Sequence, residues 1–127
     1  MKGVTYDTGA LLAAERNDRR AWALHRGLLL EEIEPVVPAA VLAQAWRGGS
    51  RQANLVRFLR LCEIEPMGEA QARRVGVLAG TSAHDDVVDL SVVEGAVRRG
   101  DVVVSGDAEH IRLIAGATGV KLEIEPI

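Results

Sequence analysis

The amino-acid order predicts an α/β fold, a three-layer sandwich around a mostly parallel central sheet, built as one domain over residues 1–127. Three observations carry this. Short apolar or alternating runs recur, among them Val4-Thr5-Tyr6, Val36-Val37 and Val102-Val103-Val104. Between them lie stretches with apolar residues three and four apart, the pattern of a helix that buries one face. No linker or low-complexity tract interrupts the alternation, and strands separated by helices assemble into parallel sheets covered on both faces.

Each element follows in order. The spacing predicts a strand over residues 2–6 and a helix over residues 8–15, capped by Asp7 or Thr8. A second helix spans residues 18–30, with Ala21, Trp22, Leu24 and Leu28 on one face. A short strand over residues 33–37 is closed by Pro38. Residues 39–46 read as helix, broken by Gly48-Gly49-Ser50, and residues 51–61 as another. Residues 63–66 read as strand, and residues 69–78 as a helix ended by Gly80. Residues 86–99 form the clearest helix, with Gly100 as its stop. A buried strand (101–105), a helix (108–115) and a last strand (120–125) complete the chain. The tetrapeptide Glu-Ile-Glu-Pro occurs at residues 32–35, 63–66 and 123–126. Its flanks differ, so it reads as three strands with a buried Ile between outward acids rather than as a repeat.

Composition narrows the class. Aromatics are 3% of the chain, so Val, Leu, Ile and Ala must fill the core. A net charge of −3 argues neither for nor against a polyanionic ligand. The single cysteine, Cys62, excludes an internal disulfide and a Cys-rich zinc site, and fits a reducing cytoplasm. No signal-peptide-like run and no uncharged stretch of membrane-spanning length is present, so a cytoplasmic protein is expected.

Four acids stand where folding alone is a poor reason for them. Asp7 ends the first strand, Asp86 and Asp89 open the helix of residues 86–99, and Asp107 follows the strand of residues 101–105. In open α/β sheets, ligands bind outside the carboxyl ends of strands, and all four acids can meet there. Two carboxylates about 4 Å apart repel by roughly 4 kcal/mol at an effective dielectric of about 20. A cluster therefore calls for neutralisation, and oxygen-only ligands favour Mg²⁺ or Mn²⁺. The alternative is helix capping, which accounts for Asp85, Asp86 or Asp107 but less well for Asp89, inside its helix.

Taken together, Val4-Thr5-Tyr6-Asp7-Thr8-Gly9-Ala10, Val36-Val37-Pro38 with Ala39 through Gln44, Asp86-Val87-Val88-Asp89 and Val103-Val104-Ser105-Gly106-Asp107 resemble a PIN-domain ribonuclease of the VapC toxin type. The resemblance spans essentially the whole chain. It implies that Asp7, Asp89 and Asp107 are catalytic metal ligands, with Asp86 a further acid at the metal. It implies Mg²⁺ or Mn²⁺ as cofactor, an RNA substrate, a cognate antitoxin as partner, and a homodimer. Thr8, Gln44 and Ser105 are expected to support the site. Two departures stand out. Gln44 occupies the position of a usual Glu and offers only a neutral carbonyl oxygen. Gly106 stands where the family often has a hydroxyl residue. The expected activity is metal-assisted hydrolysis of RNA phosphodiester bonds. The alternative is a PIN fold that binds RNA or a partner but cuts poorly, because of Gln44.

From Val36 to Cys62 there is no acid, while Arg47, Arg51, Arg57 and Arg60 occur, so these four are candidate RNA contacts or simply a solvated helix surface. Arg19 and Arg20 read as surface residues. His84, in a loop near the acids, could touch substrate, and His25 reads as partly buried. Rival activities lack their residues. A phospho-acceptor receiver needs an Asp after a middle strand and a late Lys, and the only lysines are Lys2 and Lys121. A haloacid-dehalogenase-like phosphatase needs a second Asp two positions after the first, where Gly9 stands.

Overall fold

In the computed structural model, which describes residues 2–127, the elements run β1 (Val4–Tyr6), α1 (Thr8–Glu15), α2 (Arg19–Leu30), β2 (Val36–Pro38), α3 (Ala39–Ala45), a 3-10 turn (Ser50–Gln52) and α4 (Ala53–Leu59). They continue with β3 (Glu63–Glu65), α5 (Glu69–Ser82), α6 (Val87–Arg99), β4 (Val102–Ser105), α7 (Ala108–Gly116) and β5 (Ile124–Pro126). The five strands form one sheet in the order β3-β2-β1-β4-β5. Every pairing is parallel, so the expected α/β sandwich is observed with an all-parallel sheet.

This order positions the site. The chain moves outward from β1 through β2 to β3, then returns to the other side of β1 for β4 and β5. The direction reverses between β1 and β4, and a crevice opens outside their carboxyl ends at such a switch point. The register pairs Val4 with Val102, Thr5 with Val103 and Tyr6 with Val104, so Asp7 and the residues after Ser105 emerge side by side.

Alternation along β1 sorts the two faces. Val4 and Tyr6 face α2, where Leu24 and Leu28 lie against Val4, Val102 and Val104. Tyr6 shares a 2.8 Å hydrogen bond with Nδ1 of His25 and packs on Phe58 of α4. His25 is fully buried rather than partly so, and burial holds its pKa below the usual histidine value. Thr5 points to the opposite face, under α6. There Arg99 lies across the sheet: its Nη2 donates to Thr5 Oγ1 (2.9 Å), its Nη1 to Glu65 Oε2 (2.7 Å) and its Nε to Asp101 Oδ2 (2.9 Å). Gly95 makes room for it, since a Cβ there would come within 2.8 Å of the guanidinium.

Several boundaries differ from expectation. β2 is Val36–Pro38, not residues 33–37, because Glu32 adopts a positive φ of 60° and turns the chain ahead of the strand. The first Glu-Ile-Glu-Pro copy thus precedes its strand, and the Ile residues are not buried: Ile64 on edge strand β3 is 37% exposed. α5 passes through Gly80 to Ser82 and stops where Ala83 turns left-handed at φ 58°. β5 is Ile124–Pro126, since the chain after α7 first turns at Gly119 (φ 72°). Among the described residues, no helix is long and apolar enough to cross a membrane.

Candidate active site

Asp7 is the anchor of the candidate site. It caps α1, with Oδ1 accepting from the backbone N–H of Ala10 (3.0 Å) and of Gly106 (3.2 Å). Its Oδ2 accepts from the Ser105 hydroxyl at 2.6 Å, and that hydroxyl oxygen in turn accepts from the Asp107 backbone N–H at 2.8 Å. Ser105 therefore couples the two strand ends. Asp7 is 3% exposed, and burial pushes its carboxyl pKa above the ordinary aspartate value against the opposing pull of Ser105 and the surrounding backbone N–H groups.

Two glycines allow this closeness. A Cβ on Gly9 would lie 2.6 Å from the Gly106 Cα, and one on Gly106 would lie 2.9 Å from the Gly9 Cα. The start of α1 and the loop after β4 touch backbone to backbone. That contact is the physical reason for glycine at position 106, where a hydroxyl residue was the family expectation.

Asp89 sits in the first turn of α6, half-buried, and α6 packs on β1, β2 and β4. Burial and then repulsion from Asp86 push its pKa up; Asp7 adds to the repulsion, and His110 pulls the other way. His110 Nδ1 is 2.7 Å from Asp89 Oδ2 and 3.8 Å from Asp107 Oδ2, while its Nε2 is 3.3 Å from His84 Nδ1. Asp86 is the N-cap of α6, accepting from Val88 N (3.0 Å) and Asp89 N (3.3 Å). Asp107 caps α7, and its side chain is 66% exposed. Thr8 donates its hydroxyl to the carbonyl oxygen of Gln44, which projects from α3.

The structure therefore brings Asp7, Asp89, Asp107, Ser105, Thr8 and Gln44 to one edge, with Asp86 acting in part as a helix cap. The four arginines sit apart from the acids, with no hydrogen bond or ion pair to them among the described residues. Arg47 donates to the carbonyls of Ala43 and Trp46, and Arg57 donates to Asn54 and lies over Trp22. Arg51 and Arg60 are exposed. His110 was given no role from the sequence. Its position three residues after Asp107, one helix turn on, was the available signal.

The donor set fits a hard divalent cation in charge and in chemistry: it is oxygen-rich, buried Asp7 is destabilised by desolvation, and half-buried Asp89 by desolvation and by repulsion from Asp86 and Asp7. The side chains as they stand do not enclose one. Among the described residues, no three His, Cys, Asp or Glu side chains converge closely enough to hold an ion. At Asp89, His110 Nδ1 already lies against Oδ2.

No protein-family model matches the chain, and no curated protein matches it. Solved structures do. The chain superposes on the crystal structure of VapBC2 from Rickettsia felis bound to a DNA fragment from their promoter, with TM-score 0.72, 16% identity and 97% of each chain covered. It also superposes on FitAB bound to an IR36 DNA fragment, with TM-score 0.67, 13% identity, and 97% of this chain and 94% of that chain covered. At such identities the likeness establishes the fold alone. The narrower assignment to the VapC-type toxins is corrected accordingly: the match is to complexes and does not single out toxin from antitoxin.

Proposed function

We propose that this chain is a divalent-cation-dependent ribonuclease whose reaction takes place at the carboxyl edge between β1 and β4. The observation that carries the reading is Asp7: a carboxylate buried at the switch point, with its pKa raised, beside the similarly destabilised Asp89. Capping and hydrogen bonding leave both acids with raised pKa values, which a cation would lower. Asp7, Asp89 and Asp107 would hold Mg²⁺ or Mn²⁺, with Asp86 at the margin. When bound, the cation supplies an activated water and charge stabilisation at a phosphodiester. The protein's own part is positional. Ser105 and the N–H groups of Ala10 and Gly106 fix Asp7 in one orientation, and the Gly9–Gly106 contact fixes the spacing of the two strand ends. His110 must leave Asp89 for the site to close. The structural neighbours are multi-component assemblies on DNA, which supports a protein partner for this chain as well. A homodimer, a cognate antitoxin as that partner, and a cytoplasmic setting belong to the same proposal.

A second reading has its own observation. Gln44 is neutral, and its carbonyl oxygen is engaged by Thr8 rather than free for a cation or water. This favours a module that binds RNA or a partner and cuts slowly. One experiment separates the two: incubation of a mixed cellular RNA pool with the purified chain in Mg²⁺, Mn²⁺ or EDTA, beside Asp7→Asn and Gln44→Glu. Cation-dependent cutting that vanishes in Asp7→Asn supports the nuclease. Cutting only by Gln44→Glu supports the binding module. EDTA-resistant cutting that persists in Asp7→Asn would refute the proposed site.

A further inference from the structure

On the α1–α2–α4 side of the molecule, Asn17, Arg19, Trp22, Arg26 and Arg57 line a cleft of about 600 Å³. Its arginines are exposed, and none of the three forms an ion pair among the described residues. They form a local basic patch on a chain of net charge −3. Arg57 is held in place without a carboxylate. Its guanidinium carbon lies 5.3 Å from the centre of the Trp22 ring, and its Nη2 donates to Asn54 Oδ1 at 2.9 Å. Trp22 is itself fixed: its indole N–H donates to the Ala14 carbonyl, and it meets Phe58 edge-on at 5.2 Å. A guanidinium fixed over an aromatic ring, flanked by two more free guanidiniums, is a preorganised polyanion receptor.

The cleft is separate from the reaction edge. Arg20, at the start of α2, pairs with Glu125 of β5, and Glu125 is in register with Val104 of β4, three positions before Asp107. α1 runs from its N-cap Asp7 to Glu15, about 12 Å at 1.5 Å per residue, and Asn17 lies two residues beyond that end. An acidic edge repels the phosphates it would cut, so substrate affinity has to come from a separate basic surface.

We infer that this cleft is a binding subsite for the backbone of single-stranded RNA, holding phosphates beyond the scissile one on Arg19, Arg26 and Arg57. The inference rests on the ribonuclease reading for its choice of ligand. Single strands suit the cleft because a base can stack on the exposed guanidinium plane of Arg57 while the neighbouring arginines take phosphates.

The test is fluorescence anisotropy of a labelled single-stranded RNA oligonucleotide with the full chain in EDTA, across a range of salt. The comparison is wild type against Arg19→Ala, Arg26→Ala, and the triple variant with Arg57→Ala, with Arg73→Ala/Arg112→Ala as a control. The triple variant is expected to bind roughly tenfold or more weakly and to lose about 2 from the log–log salt slope, at about 0.7 per phosphate contact on a single strand. Each exposed single variant, which touches no core residue, is expected to lose about 0.7. Unchanged affinity and slope in all three would overturn the inference. So would capture of a Glu-rich peptide, but not RNA, through the same arginines, which would make the cleft a dock for an acidic protein segment. RNA binding lost in the triple variant, without any cutting by wild type, keeps the subsite and removes the nuclease reading. Cation-dependent cutting with arginine-independent binding does the reverse.

Discussion

Asp7 shows how a candidate ligand side chain can oppose the fold that holds it. Its pKa is raised by burial, so the folded protein binds this proton more tightly than the unfolded chain does. The stability it supports is full below the ordinary aspartate pKa and is lost as pH rises through the folded value. Asp7→Asn removes that loss. It is expected to abolish cutting yet melt no lower than wild type at pH 7, with a flatter dependence of Tm on pH between 4 and 7. A variant that melts well below wild type would mean that the hydrogen bonds from Ser105, Ala10 and Gly106 outweigh the desolvation. His110 makes the complementary case. It occupies Asp89 at 2.7 Å, so His110→Ala is expected to tighten Mn²⁺ binding several-fold in a calorimetric titration. Weaker binding would instead make the imidazole a ligand. The four acids were legible in the sequence because each stands at the end of a recognisable element. His110 was not, since its contact with Asp89 joins α7 to α6 and exists only in three dimensions.

At the level of elements, Arg99 ties α6 to β1, β3 and the start of β4. Its partner Asp101 is buried, so Arg99→Met would strand a carboxylate in the protein interior. Removing one member of such a buried pair typically costs about 3–5 kcal/mol. A urea titration is expected to show a loss of about that size, and Arg99→Met/Asp101→Asn is expected to recover part of it. A loss below about 1 kcal/mol would show that the network is effectively solvated. Element boundaries were legible where local chemistry decides them. The helix over residues 8–15 has the ends read from its capping Asp7, and Gly100 stops α6 in the left-handed region at φ 73°. They were illegible where tertiary pairing decides. Pro38 ends up inside β2 because it pairs with Glu65 of β3, and α5 runs through Gly80 to Ser82, ending where Ala83 turns left-handed. The basic cleft was likewise hidden: Arg19 and Arg26 come from α2 and Arg57 from α4, and only helix packing brings them around one tryptophan.

For the whole molecule, the parallel sheet and its layers followed from alternation of periodicities, while the strand order came only with the structure. That order makes β1 central and places β4 beside it, so pairing β1 with β4 closes a loop of about three quarters of the chain. Urea unfolding followed by Trp22 and Trp46 fluorescence and by RNA cutting is therefore expected to give one midpoint. Activity lost at clearly lower urea would mean that the edge around Asp7 and Asp107 opens separately.

The backbone contact between Gly9 and Gly106 carries this further. The two residues that touch there belong to the first tenth and the last fifth of the polypeptide, and the acids beside them are separated by the full span between residues 7 and 107. During synthesis from the amino end, a growing chain exposes Asp7 early but has no second strand end to set against it until β4 and its loop have emerged. An unfinished or truncated copy holds half of the candidate site and none of its spacing. Under the proposed ribonuclease function, any cutting would thereby be postponed until β4 and its loop have folded against β1.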